Sequence, residues 1–215
     1  ALDLEKAQAV ADLFAGDAVS EGHIDRMAVS LEADRLHAGG VNAESVVLKG
    51  TLEPAGFDLK TLSVENLAGA SISARGRIDD PMGKPGGRVN VDIAADDLTG
   101  TAQFLTGLFP DNALVARFDT IAASLSPAQA QLLLSARQSD NVLALDLSGA
   151  FGGTRVNLEM SGRGTLDDLS TLEGKADGLV VADQTTALLR QAGFDILPLD
   201  NSGPARIALK AEGKP

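Results

Sequence analysis

The chain has 215 residues, with 18 basic side chains against 30 acidic ones for a formal charge of −12, and 44% hydrophobic residues of which only seven Phe are aromatic. This balance lacks the basic stripe that nucleic acid requires and disfavours docking flat on an anionic bilayer. With no Cys, Trp or Tyr, disulfides, thiolate metal sites and the aromatic girdles of a membrane-spanning barrel are excluded, while the compartment is left open.

The core must be aliphatic, and 23 glycines with 8 prolines favour many short elements joined by turns. "LDLEKAQAVADLFAG" (2–16) reads as a helix, followed by strand-like alternation in "RMAVSLEAD" (26–34) and "ASISARGRI" (70–78). "RVNVDI" (88–93) sets Val89, Val91 and Ile93 against Arg88, Asn90 and Asp92. Asp97 then stands at a helix-cap position before "LTGTAQFLTGLF", whose Leu98, Ala102, Leu105 and Leu108 recur at roughly helical spacing. "SARQSDNVLALDL" reads as a hairpin turning at Ser139–Asn141. "RVNLEM" (155–160) alternates Val156, Leu158 and Met160 against Arg155, Asn157 and Glu159, and "DQTTALLRQAGF" (183–194) is a further short helix. No stretch approaches the ~20 apolar residues of a spanning helix. The start at Ala1 reads as a processed protein or a piece of a longer one.

These elements recur. "RGRIDD" (75–80) returns 88 residues later as "RGTLDD" (163–168), and the order of landmarks is kept around it. Asp97, Thr99 and Gly107 align with Asp183, Thr185 and Gly193, then Pro110 with Pro198, and "ARF" (116–118) with "ARI" (205–207). The reading is a mainly β chain with a few short α-helices, built from antiparallel meanders each closed by a helix. Residues 1–21 end a preceding repeat as a helix, 22–112 form a full repeat, and 113–215 form a second that ends in a helix and a further strand. Stacked edge to edge, such units make one long curved sheet or groove. Three short helices cover only part of such a sheet. It either folds over into a sandwich or barrel, or leaves part of its apolar face as a groove.

No catalytic motif is present. His23 and His37 lack zinc-ligand spacing, and "GRIDDPMGK" (76–84) fails as a phosphate loop because six residues separate Gly76 from Gly83 and Pro85 replaces the Ser or Thr. No cofactor or metal is expected. Asp79–Asp80, Asp96–Asp97 and Asp167–Asp168 are the best acid-base candidates, and a hydrolase using them is one alternative. Turns and helix caps favour Asp for its acceptor oxygens, which explains their positions without catalysis.

Two stretches carry a family likeness. "SPAQAQLLLSARQSDNVLALDLSGAFGGTRVNLEMSGRG" (126–164) gives strand, turn, strand, then an "AFGG" step into another strand, and "FDLKTLSVENLAGASISARGRI" (57–78) gives a second recurrent pattern. Both resemble the AsmA-like family of bacterial envelope proteins. The resemblance implies a non-enzymatic periplasmic segment of a parent anchored in the inner membrane outside this segment. It implies an elongated β-structure that binds or conducts phospholipid, or another acyl lipid, for outer-membrane biogenesis, with envelope proteins as further partners. The groove lining would then come from Val29, Leu31, Ile72, Val89, Val91, Ile93, Leu145, Leu147, Val156 and Leu158. The other alternative is a structural or protein-interaction β-module with a closed core.

Overall fold

The computed structural model describes residues 2–3, 25–38, 41–81, 84–110, 112–165, 168–194 and 203–213. Eleven strands form a single sheet in strict chain order. They are β1 (Leu2–Asp3), β2 (Met27–Ala38), β3 (Val41–Glu53), β4 (Gly56–Leu67), β5 (Ala70–Asp79), β6 (Gly86–Ala95), β7 (Ala128–Arg137), β8 (Val142–Phe151), β9 (Thr154–Thr165), β10 (Asp168–Ala182) and β11 (Ala205–Gly213). β1 runs parallel to β2, and every later neighbour pair is antiparallel. The sheet is open and uncurled. It neither closes into a barrel nor, among the described residues, meets a second sheet. β6 pairs with β7 along its length, so the sheet passes from the 22–112 unit into the 113–215 unit without a break.

Turn chemistry sets the register. Gly152 and Gly153 both have positive φ, at 51° and 83°, and join Phe151 to Thr154 as a two-residue hairpin turn of the hand that fits the twist of the strands. Ala68 and Gly69 do the same between Leu67 and Ala70. The expected hairpin at Ser139–Asn141 joins β7 to β8, with Asn141 at φ 50°.

The repeated hexapeptide marks strand ends. Arg75–Asp79 closes β5; Asp80 turns off at φ 46° and its Oδ2 accepts the Lys84 N–H at 3.0 Å. A Cβ on Gly76 would collide with the Arg88 carbonyl of β6, so the residue must be Gly. The second copy closes β9 at Thr165 and opens β10 at Asp168; Asp167 lies outside the described residues.

The helices sit after β6 and β10. α1 (Thr99–Leu108), α2 (Ala113–Ile121) and a 3-10 turn (Ala122–Leu125) lead from β6 to β7, and α3 (Thr185–Gln191) follows β10. α1 and α3 fall within the helices expected at 97–109 and 183–194. α2 was not expected. The aligned "ARF" and "ARI" triplets diverge, the first being helical in α2 and the second extended in β11, so three matching letters yield to their surroundings. Of the expected helix at 2–16, Leu2–Asp3 is strand instead, paired with Leu36 and His37, and the rest lies outside the described residues. The helices bury one end of the sheet. Leu98, Ala102 and Ala122 close over Ala70, Ala95 and Ala128, with Phe118, Leu125 and Phe151 packed around them.

Candidate functional site

Strand pairing puts all ten lining candidates on one face of the sheet. Residues opposite one another in an antiparallel ladder share a face, and residues two apart along a strand share it too. The longest row runs Leu31–Leu48–Leu62–Ala74–Val91 and continues Leu132–Leu147–Leu158–Gly178–Leu209, one residue from each strand β2 to β11. A second row holds Val29, Val89 and Leu145, with Leu134 bridging the last two. In a third, Ile72 faces Ile93, and Ala130 and Gly149 lead on to Val156. Leu147 and Leu158, and Ile72 and Ile93, are direct neighbours; Leu31 and Val29 lie far from the rest along the same face.

This face is incompletely covered. All ten candidates are half-buried, shielded by neighbouring side chains, and Leu134 and Met160 remain 43% exposed with Leu209 at 50%. The helices close over only the row at the strand ends, where Ala70, Ala95, Ala128, Thr154 and Ala182 are buried. Nine strand spacings from β2 to β11 give the strip a length of roughly 43 Å, and three rows a width of about 13 Å. The outline of the strip covers roughly 550 Å2, and only part of it is accessible, since Leu59, Ala74 and Ala130 within the rows are buried.

The sequence did not single out Leu132, Leu134, Leu48, Leu59 and Leu62, which complete the rows. "QLLLSAR" and "SVVLKG" are continuous apolar runs with no alternation to read, and Leu133 turns to the other face between Asn90 and Asp146. In β4 a bulge between Leu59 and Leu62 shifts the phase, so leucines three apart both reach the apolar face.

The opposite face is polar. It carries the Ser73–Asp92–Gln131–Ser148–Asn157 row and cross-strand ion pairs Lys49–Glu32 at 2.6 Å, Lys175–Glu212 at 3.0 Å and Lys210–Asp177 at 3.6 Å. Lys49 holds the Glu32 carboxyl below its ordinary value. Two shallow depressions, of about 500 and 310 Å3, lie over this face, the larger with a mainly apolar wall between its serines and glutamines and the smaller with a mainly polar one. The apolar strip is therefore an exposed face rather than a walled slot.

The turn carboxylates are engaged structurally. Asp79 accepts the Arg77 Nε–H at 2.8 Å, and Arg77 also reaches Glu53 at 3.7 Å; the Asp79 hydrogen bond raises the Arg77 pKa. Asp97 stands one residue ahead of the N-cap position, which Leu98 holds, and still accepts the Thr99 hydroxyl at 2.7 Å and N–H at 2.9 Å. These bonds lower its pKa, the hydroxyl contributing most. Its repeat counterpart Asp183 pairs with Arg155 at 3.1 Å instead. His23 lies outside the described residues, and His37 extends β2 beside Asp3 and Asn42. Among the described residues no three His or acidic side chains gather as a metal site, and no helix is long and apolar enough to cross a membrane. Neither a family model nor a curated protein nor a solved structure matches the chain.

Proposed function

We propose that this chain is a non-enzymatic, AsmA-like periplasmic repeat segment that binds or conducts phospholipid along the apolar face of its sheet, in outer-membrane biogenesis. The observation that carries the proposal is the in-register apolar row crossing ten strands with no second layer over it among the described residues. A filled β-module would need that second layer. The patterns at 57–78 and 126–164 supply the family, and with it the periplasmic setting and a parent anchored elsewhere. Covering about 200 Å2 of the strip with acyl chain contributes roughly 5 kcal/mol before ordering costs, enough for reversible capture. An aliphatic face without fixed polar anchors tolerates any head group, as a conduit requires.

The test is native mass spectrometry of detergent-free protein, followed by lipid extraction, on the wild type and on Val91→Asp. Phospholipid retained by the wild type and lost from a folded variant is the expected result. Lipid-free protein that also refuses added fluorescent phospholipid overturns the proposal in favour of a structural or protein-interaction module.

A further inference from the structure

α3 is the repeat counterpart of α1, yet it is sealed to the sheet far less. α1 buries Ala102 completely and packs against α2, and with the 3-10 turn they close over Ala70, Ala95 and Ala128. α3 buries none of its seven residues, and its Ala187, Leu188 and Leu189 are all only half-buried. It packs against β10 and the 3-10 turn and ends beside the β8–β9 turn. Thr154 and Ala182, cross-strand partners on that side of the sheet, are fully buried, and Ala182 lies outside the cluster that the other helices close over. Their burial therefore comes from α3. Polar groups hold the helix there. At its C-terminal end the Gln191 amide donates to the Phe151 carbonyl at 2.8 Å and the Ser124 carbonyl at 3.3 Å, and the Arg117 guanidinium donates to the Ala192 carbonyl. At the other end Thr185 donates its N–H and its hydroxyl to the Gly203 carbonyl, at 3.0 and 2.8 Å.

We infer that α3 is a lid, latched by Gln191, that opens as a unit over the ends of β9 and β10 while the rest of the fold stays closed. Two features bring the open form within reach. The closed form keeps the Thr154 Oγ1 buried with no partner, and opening returns that hydroxyl to water. The latch consists of hydrogen bonds to backbone carbonyls, which water replaces at little net cost, and α3 lacks the fully buried apolar side chain that anchors α1. Opening uncovers Thr154 and Ala182 beside Val156 and Val180, so the apolar strip gains a row at this end of the sheet. As a gate on the strip, α3 rests on the phospholipid proposal above; the opening itself does not.

The test uses lipid-free protein, so its outcome is separate from that of the phospholipid proposal. The chain has no cysteine, so Thr154→Cys places a single thiol under α3 and Ala95→Cys a single thiol under the other helices. Each folded variant, checked by circular dichroism, is exposed to a thiol reagent over a series of low urea concentrations. The Thr154→Cys thiol should react ~10-fold or more faster than the Ala95→Cys thiol and with almost no urea dependence, because local opening exposes little surface. The Ala95→Cys thiol should follow global unfolding and accelerate steeply with urea. Adding Gln191→Ala to Thr154→Cys should raise its labelling about 5-fold, the loss of roughly one net hydrogen bond, without changing its urea dependence. In the unsubstituted chain, amide exchange in α3 should outpace that in α1 by ~10-fold or more, again without urea dependence. Equal rates and equal urea dependence for the two thiols, exchange of α1 and α3 in step, or labelling that ignores Gln191→Ala overturns the inference.

Discussion

The Thr154 hydroxyl is fully buried beneath the helices, and its Oγ1 has no hydrogen-bond partner. Its methyl fills the row between Phe151 and Ala182 while its oxygen is desolvated for nothing. An unsatisfied buried hydroxyl costs about 1–3 kcal/mol, so Thr154→Val, which keeps the shape, should stabilise the fold by about 1 kcal/mol and raise Tm by roughly 2–4 °C in a calorimetric scan. Ala68 is strained in a different way, at φ 53° in the β4–β5 turn. Ala68→Gly removes a left-handed penalty of about 1–2 kcal/mol and adds unfolded-state entropy, leaving a net gain of up to ~1 kcal/mol in urea denaturation. Asp97 acts through charge. Its folded-state pKa lies below the ordinary 3.8, so its contribution is present above that value and lost as pH falls through the folded one. The wild type should therefore exceed Asp97→Ala in stability at neutral pH, with the two converging as the pH falls below the ordinary carboxylate range and through the lowered folded-state value. A difference that persists unchanged into acid would assign the effect to geometry rather than ionisation.

Along a single strand, which face a side chain occupies decides what it does, and β7 offers the sharpest contrast. Leu132 stands in the apolar row between Val91 and Leu147, whereas Leu133 stands between Asn90 and Asp146. Leu133→Lys places a cation opposite Asp146 and should change stability by no more than about 0.5 kcal/mol, while Leu132→Lys puts it among aliphatic chains and should cost about 1–3 kcal/mol. Equal costs in urea denaturation would mean that the faces are wrongly assigned. No periodicity distinguishes these two leucines in "QLLLSAR"; only pairing with β6 and β8 does. Where one face alternates cleanly, as at Val89, Val91 and Ile93 or at Val156 and Leu158, the element and its apolar side were both legible from the chain. The helices at Thr99–Leu108 and Thr185–Gln191 were legible from spacing and an Asp two residues ahead. α2 was not. It lacks an acidic first turn and a basic last turn, and its burial depends on Phe118 meeting the helix cluster, a contact made in three dimensions. Which ends of the strands those helices would cover, and so which part of the apolar face stays open, was equally beyond a one-dimensional reading.

At the scale of the molecule, stability must spread through nearest neighbours, because each strand of this meander pairs only with the strands before and after it in sequence. Such a chain resembles a repeat array, in which opening begins at the ends and propagates inward. The helix cluster breaks the uniformity. It ties together Ala70 of β5, Ala95 of β6, Ala128 of β7 and Phe151 of β8, and Gln191 of α3 donates to the Phe151 carbonyl at 2.8 Å, bracing the β8–β9 turn. Amide hydrogen exchange should accordingly be slowest in β6 and β7, intermediate in β4 and β9, and fastest in β11, whose outer N–H groups face no strand among the described residues. The gradient also bears on the surface proposed for lipid. Adding phospholipid should slow exchange across β5–β9, the strands that carry most of the apolar rows. Equal protection of all strands in dilute, lipid-free protein would contradict nearest-neighbour stability and require a second layer over the apolar face, which would remove the surface on which lipid is proposed to lie.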